Sequence, residues 1–144
     1  MSRVRVEPSA DDRWLVLYDG DCGFCKWMLA GLLRMDDERR LRPMALQRPE
    51  AEALLADLSP DERMASWHLI SPTGERHSGG AAIPPVLRLL PRGRIPAAAF
   101  APFPRVTDRG YRWVADHRVG LSKLVSSRAK QRAAGYVRRR EQEA

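Results

Sequence analysis

The stretch Leu15-Val16-Leu17-Tyr18-Asp19-Gly20-Asp21-Cys22-Gly23-Phe24-Cys25-Lys26 decides the fold. Its first residues are a short apolar run of the kind a buried strand needs. Asp19-Gly20 breaks that run with a turn signal. The only two cysteines of the chain follow, three positions apart. Beyond them Trp27, Met28, Leu29, Leu32, Leu33 and Met35 recur at helical spacing. Both sulfurs are therefore expected where a strand gives way to the first turn of a helix.

That placement has a chemical consequence. The thiolate is the reactive form of cysteine. The first N–H groups of a helix are unpaired and the macrodipole is positive there, so a helix N-terminus stabilises a thiolate. Cys22, the first of the pair, is the expected nucleophile. Cys25, on the same helix face, can close a disulfide onto it. Gly23 and Phe24 tune the geometry and reactivity of the turn, and neither is the proline of a more constrained C-G-P-C loop. Asp19 and Asp21 flank Cys22 and act in the opposite sense, because nearby negative charge raises a thiol pKa. Asp21 has a second reading as a helix cap that accepts a backbone N–H. The sequence leaves the balance open.

Tyr18-Asp19-Gly20-Asp21-Cys22-Gly23-Phe24-Cys25 closely resembles the Y-D-G-D-C-x-x-C signature of the DCC family, described as thiol-disulfide oxidoreductases with a thioredoxin-like fold. The Asp-Cys-Cys positions that name the family fall on Asp21, Cys22 and Cys25. The resemblance covers most of residues 14–118. It includes Gly79-Gly80-Ala81-Ala82 before a helix, and Tyr111-Arg112-Trp113 followed by Arg118. It implies a thioredoxin-like domain with Cys22 and Cys25 as catalytic residues and Asp19, Asp21, Gly23 and Phe24 in support. One departure stands out. Thioredoxin-like proteins usually hold a cis-proline before the third strand, facing the sulfurs, and the matching place here is Arg63-Met64. Pro60 lies several residues early, so a different segment is expected to dock substrates unless Pro60 reaches the site by a longer loop.

The rest of the chain fits one α/β domain. At 144 residues there is enough chain for a real core. Two cysteines are too few for a disulfide framework. No apolar run is long enough for a transmembrane helix. The start, Met1-Ser2-Arg3-Val4-Arg5-Val6-Glu7, lacks a signal peptide's apolar core, so a soluble cytoplasmic protein is expected. The net charge of +7 is uneven. Residues 118–144 carry eight basic side chains against Glu141 and Glu143, which is nearly all of the excess. The expected organisation is a flexible lead-in over 1–13, a thioredoxin-like domain over 14–118 and a basic helical or disordered tail over 119–144.

In order, strands are expected at Trp14–Tyr18, Arg40–Leu46, Met64–Ser71 and Arg76–Ser78. Pro43 marks the second of these as an edge or bulged strand. Helices are expected over Phe24–Met35, Glu50–Leu58 behind Pro49, Ala81–Leu90, Thr107–His117 with Thr107 as cap, and Ser122–Arg140. Ser59-Pro60-Asp61-Glu62 reads as a turn. Pro91, Pro96, Pro102 and Pro104 make 91–104 an irregular loop. The order β-α-β-α-β-β-α is that of a central mixed four-stranded sheet flanked by helices. The C-x-x-C then lies at the carboxyl end of the first strand, a usual place for chemistry in open α/β sheets.

The reading that follows is a small thiol-disulfide oxidoreductase that needs no bound cofactor and exchanges with a protein or small-molecule disulfide or dithiol. The alternative is a non-catalytic binding or adaptor module on the same scaffold, its cysteines vestigial or metal-holding. Zinc wants four ligands, and His68, His77 and His117 are not at ligand spacing. Asp19-Gly20-Asp21 also resembles the opening D-x-D of haloacid-dehalogenase-type phosphatases, but Cys22-Gly23 stands where that family has Gly-Thr. Trp67, Tyr111 and Trp113 read as core, with a groove lining as the alternative. Arg112 and Arg118 read as a solvated helix face, with an anion contact as the alternative. The tail reads as solvated, in weak contact at most with an anionic surface, and it lacks the interleaved aromatics of a base-reading segment.

Overall fold

Residues 12–91 and 102–143 and the backbone of Ser2 and Arg3 are described in a computed structural model of the chain. Most of the expected lead-in and of the proline-rich loop over 91–104 lies outside them. The apolar run forms strand β2 (Trp14–Tyr18), with β1 a two-residue piece at Ser2–Arg3. Helix α1 (Gly23–Arg34) follows β2 directly and leads to β3 (Leu41–Ala45). Two short helices come next, α2 (Pro49–Leu54) and α3 (Pro60–Met64). Strands β4 (His68–Ile70) and β5 (Glu75–Ser78) form a hairpin through a turn at Gly74, whose φ is +90°.

The sheet runs β1-β5-β4-β2-β3. β2 and β3 are parallel, and the other neighbours are antiparallel. The four longer strands make the mixed sheet of a thioredoxin-like α/β fold flanked by helices, and Ser2–Arg3 extends its β5 edge. Pro43 pairs with Val16 on β3, which is the other edge strand, where a missing ladder donor does no harm. One side of the sheet is closed by α1 and by elements after β5, around Val16, Leu29, Leu33, Leu69 and Val86. A second cluster packs Leu17, Met44 and Ile70 against Ala51 and Leu55 of the α2 region.

Several elements differ from their sequence reading. Ser59-Pro60-Asp61-Glu62 is the start of α3 rather than a free turn. Ser59 accepts from Glu62 N at 3.2 Å and Glu62 accepts from Ser59 N at 2.8 Å, a reciprocal capping box. The strand expected from Met64 begins only at His68: α3 runs through Met64, and residues 65–67 link it to the strand. Thr107 does not cap its helix. Helix α5 (Pro104–Asp116) starts one turn earlier on Pro104, and the Thr107 hydroxyl donates back to Phe103 O at 3.0 Å.

Between β5 and α5 lie a 3-10 turn (Gly79–Ala82) and helix α4 (Ile83–Leu89). Gly79 has φ +59°, and a Cβ on Gly80 would fall 2.5 Å from Asp108 Cα. The Gly-Gly pair therefore lets α5 lie directly on the turn.

The basic segment forms α6 (Arg118–Ser122) and α7 (Ser127–Gln142), broken where Ser126 caps α7 by accepting from Ala129 N at 3.1 Å. Helix α7 is not a solvated appendage. It packs along α1, buries Ala133 and Val137 in the main core, and inserts Arg140 with 2% of its side chain exposed. Arg140 pairs with the fully buried Asp36 at 2.8 Å and donates to Leu33 O at 2.8 Å. Asp36 also accepts the N–H groups of Arg40 and Leu41, each at 3.0 Å. The end of α1, the start of β3 and the last helix thus meet in one buried ionic knot.

Candidate active site

Cys22 and Cys25 are joined as a disulfide, with Cα atoms 5.2 Å apart. Local sequence places them there. β2 ends at Tyr18, and Asp19-Gly20-Asp21 turns the chain, with Cys22 N donating to Asp19 O at 3.3 Å. Cys22 is itself the N-cap of α1, and its Sγ accepts the N–H of Cys25 at 3.2 Å. The cap role read for Asp21 is corrected accordingly. Asp21 is exposed and engaged elsewhere, while both cysteines are half-buried.

The aspartates are held by a residue the sequence reading did not single out. Gln47, just after β3, donates to Asp19 Oδ1 at 2.8 Å and to Asp21 Oδ2 at 3.3 Å. Its own Oε1 accepts from Gly20 N at 2.9 Å. Asp19 Oδ1 also accepts from Asp21 N at 2.9 Å, closing a local side-chain turn. Both aspartates therefore spend part of their charge on the loop. Only the parallel pairing of β3 with β2 brings Gln47 there.

Gly23 opens the first turn of α1 against the stem of Lys130 from α7, which a Cβ at that position would meet at 3.3 Å. Phe24 is buried and stacks with Trp27, the ring centroids 6.0 Å apart. Tyr18 donates its hydroxyl to Glu141 of α7 at 2.8 Å, and burial together with that carboxylate pushes its pKa far up. Glu141 also accepts from Ala45 N of β3 at 3.3 Å and from Arg48 at 3.2 Å. The last helix is thus tied to both strands behind the cysteine loop.

Beside the disulfide lies an apolar cavity of about 670 Å³. Cys25, Phe24 and Met28 of α1 form one wall, and Val86, Val106 and Tyr111 from α4 and α5 are among those opposite. The segment Met64–Trp67, from the last residue of α3 to the start of β4, closes it at the place where thioredoxin-like proteins usually hold a cis-proline, and no described peptide bond is cis. Tyr111 fixes that segment by accepting the N–H of Trp67 at 3.2 Å, and burial raises the tyrosine's pKa. Trp67 and Tyr111 thus line the cavity. Trp113 does neither of the things read for it: it is exposed and stacks on His117 at 4.5 Å. Arg112 pairs with Asp108 at 2.9 Å, whereas Arg118 lines the cavity. Of the histidines, His68 is buried between Ser78 Oγ at 2.6 Å and Arg63 O at 2.9 Å. Among the described residues no group of three or more His, Cys, Asp or Glu gathers to hold a metal ion, and no helix is long and apolar enough to cross a membrane.

A cysteine pair at C-x-x-C spacing, at the carboxyl end of a sheet strand and on the first turn of a helix, defines a thioredoxin-like site for thiol-disulfide chemistry. The family model of the DCC1-like thiol-disulfide oxidoreductases matches residues 16–124, and the chain belongs to that family. The match runs from the middle of β2 to just past α6 and stops short of α7. No curated protein and no solved structure matches the chain significantly.

Proposed function

We propose that the protein is an enzyme that exchanges disulfides through Cys22 and Cys25, with Cys22 as nucleophile and Cys25 as resolving thiol. The observation that carries this is the N–H of Cys25, which points at Cys22 Sγ from the first turn of α1. A donor and helix dipole aimed at one sulfur favour its thiolate over that of its neighbour. In the reduced state Cys22 attacks a substrate disulfide. One substrate sulfur leaves as thiolate and the other stays bonded to Cys22. Cys25 then attacks Cys22 Sγ, reforms the internal disulfide and releases the second substrate thiol.

The supporting residues act through position. Asp19, Asp21 and Gly20 form the turn that Gln47 clamps, and this turn presents Cys22 as the cap of α1. Gly23 leaves room for Lys130, and Phe24 anchors the first turn in apolar surroundings. The redox partner is a protein or small-molecule dithiol or disulfide, in the cytoplasm, and no resident cofactor takes part.

Reduction of insulin disulfides tests the reading. Cys22→Ser is expected to abolish turnover, and Cys25→Ser to accumulate mixed disulfides on Cys22. A Cys22→Ser protein that reduced insulin at the normal rate would overturn the mechanism.

A further inference from the structure

We propose that the apolar cavity beside the disulfide binds a low-molecular-weight apolar dithiol, or the corresponding disulfide, that carries one anionic end group. The inference rests on the thiol-disulfide reading above and adds a substrate class to it.

Three observations converge. First, the cavity is continuous with the reacting pair, because Cys25 is part of its wall. Second, its volume of about 670 Å³ lies within the range of pockets that enclose a small organic molecule. Its mouth is apolar too: Met28, Met64 and Val106 line it and are 49%, 39% and 65% exposed. Methionines at such a mouth adapt to varied apolar shapes. Third, the charges are few and separate. Asp19 belongs to the cysteine loop, where Gln47 and Asp21 N already bond it. Arg118 is the only cation of the described lining, and no ion pair holds it among the described residues.

The lining discriminates by chemistry. A peptide-like thiol such as glutathione would bring amides, an ammonium and two carboxylates against apolar walls, and most would lose water without gaining a partner. An apolar chain with a single carboxylate loses little on entering and finds Arg118 for its one charge.

The oxidant is the Cys22–Cys25 disulfide itself. One thiolate of the bound dithiol attacks Cys22 Sγ, across the disulfide bond from the wall sulfur of Cys25. A substrate–Cys22 bond forms and the Cys22–Cys25 bond breaks, its electron pair leaving on Cys25. The second substrate thiol loses its proton to solvent and attacks the substrate sulfur bonded to Cys22. The substrate closes as a cyclic disulfide, Cys22 leaves as the thiolate whose Sγ accepts an N–H at the start of α1, and the two cysteines take up two protons. Two electrons have passed from substrate to enzyme, and the disulfide form of the substrate reacts by the reverse path, with Cys22 attacking and Cys25 resolving.

The test is the rate at which the oxidised full-length protein is reduced by dihydrolipoate, by its uncharged amide and by dithiothreitol, read by quenched alkylation and mass. Dihydrolipoate is expected to half-saturate the wild type at a concentration about tenfold below that of dithiothreitol, and about fivefold below that of its amide. Arg118→Gln is expected to erase the difference between acid and amide. Val106→Asp, at the mouth, is expected to lower the rates of both lipoyl compounds relative to dithiothreitol about tenfold. The proposal is overturned if dihydrolipoate is no better than dithiothreitol, or if Arg118→Gln shifts acid and amide alike. It is also overturned if a cysteine-free apolar peptide displaces dihydrolipoate at lower concentration than the amide does, since the cavity would then belong to a protein segment. Failure of the underlying redox reading has a different signature: dithiothreitol would then yield no two-thiol form of the wild type.

Discussion

The two ends of helix α1 are held in different ways. At the amino end Cys22 caps the helix, and the loop before it is tied by Gln47 through hydrogen bonds that are all exposed to water. At the carboxyl end Asp36 and Arg140 are sealed from solvent and satisfy backbone groups of α1 and β3 around them. Exposed bonds exchange with water at little cost, whereas a buried ion pair that loses one partner leaves an uncompensated charge. The fold thus fixes the far end of the helix rigidly and leaves the sulfur-bearing end accessible. The lesson is that α7, which carries the basic charge and lies beyond the residues the family model matches, is the structural brace of the redox helix.

The sharpest way to break this contrast is to remove one partner of the buried pair. Asp36→Ala or Arg140→Ala is expected to cost about 3–5 kcal/mol, read from urea unfolding midpoints. A loss below about 1 kcal/mol would mean that α7 is not a brace. Gly80→Ala drives a methyl into the backbone of α5 and is expected to cost about 1–3 kcal/mol. It should also weaken whatever the cavity binds, since α5 forms part of its wall.

A third effect is set by pH. Burial holds His68 below the ordinary histidine value of 6.5. In the window between its folded value and 6.5 the unfolded chain binds more protons than the folded one, so stability is lost as pH falls through that window. Urea midpoints should fall between pH 7 and pH 5, by at most about 1.4 kcal/mol per pH unit from this group. Asp57, whose pKa the Arg76 guanidinium lowers, adds a further loss only at more acid pH, where carboxylates take up protons. A midpoint flat from pH 7 to pH 5 would contradict the role given to His68. The smallest effect is expected from Gln47→Ala, below about 1 kcal/mol because its bonds are exposed. A loss rivalling that of Arg140→Ala would erase the difference between the two ends.

What the sequence disclosed follows the same division. The sulfur end of α1 was legible because its determinants are local. An apolar strand, a turn pair, two cysteines and a helical repeat lie within about twenty residues, and the fold could be placed around them. The brace was not legible. Asp36 reads as one of several acids that end a helix, and Arg140 as one of several tail arginines; only their separation in space, 104 positions apart in the chain, makes them a pair. Gln47 was missed for the same reason, since parallel strand register carries it to the cysteine loop. Arg118 and Trp67 carried a visible hint, a cation and an aromatic with a second reading as a binding surface. The cavity that unites them depends on α5 docking over Gly79-Gly80. Ser59 and Glu62 were a signal available but unread, the reciprocal cap of α3.

The most direct test of the central claim is brief alkylation of the reduced protein near neutral pH, with the modified cysteine located by peptide mass. The account predicts that Cys22 is modified first and much faster than Cys25, and that reoxidation restores a disulfide between the two. Faster modification of Cys25, or a pair that does not reoxidise, would contradict it.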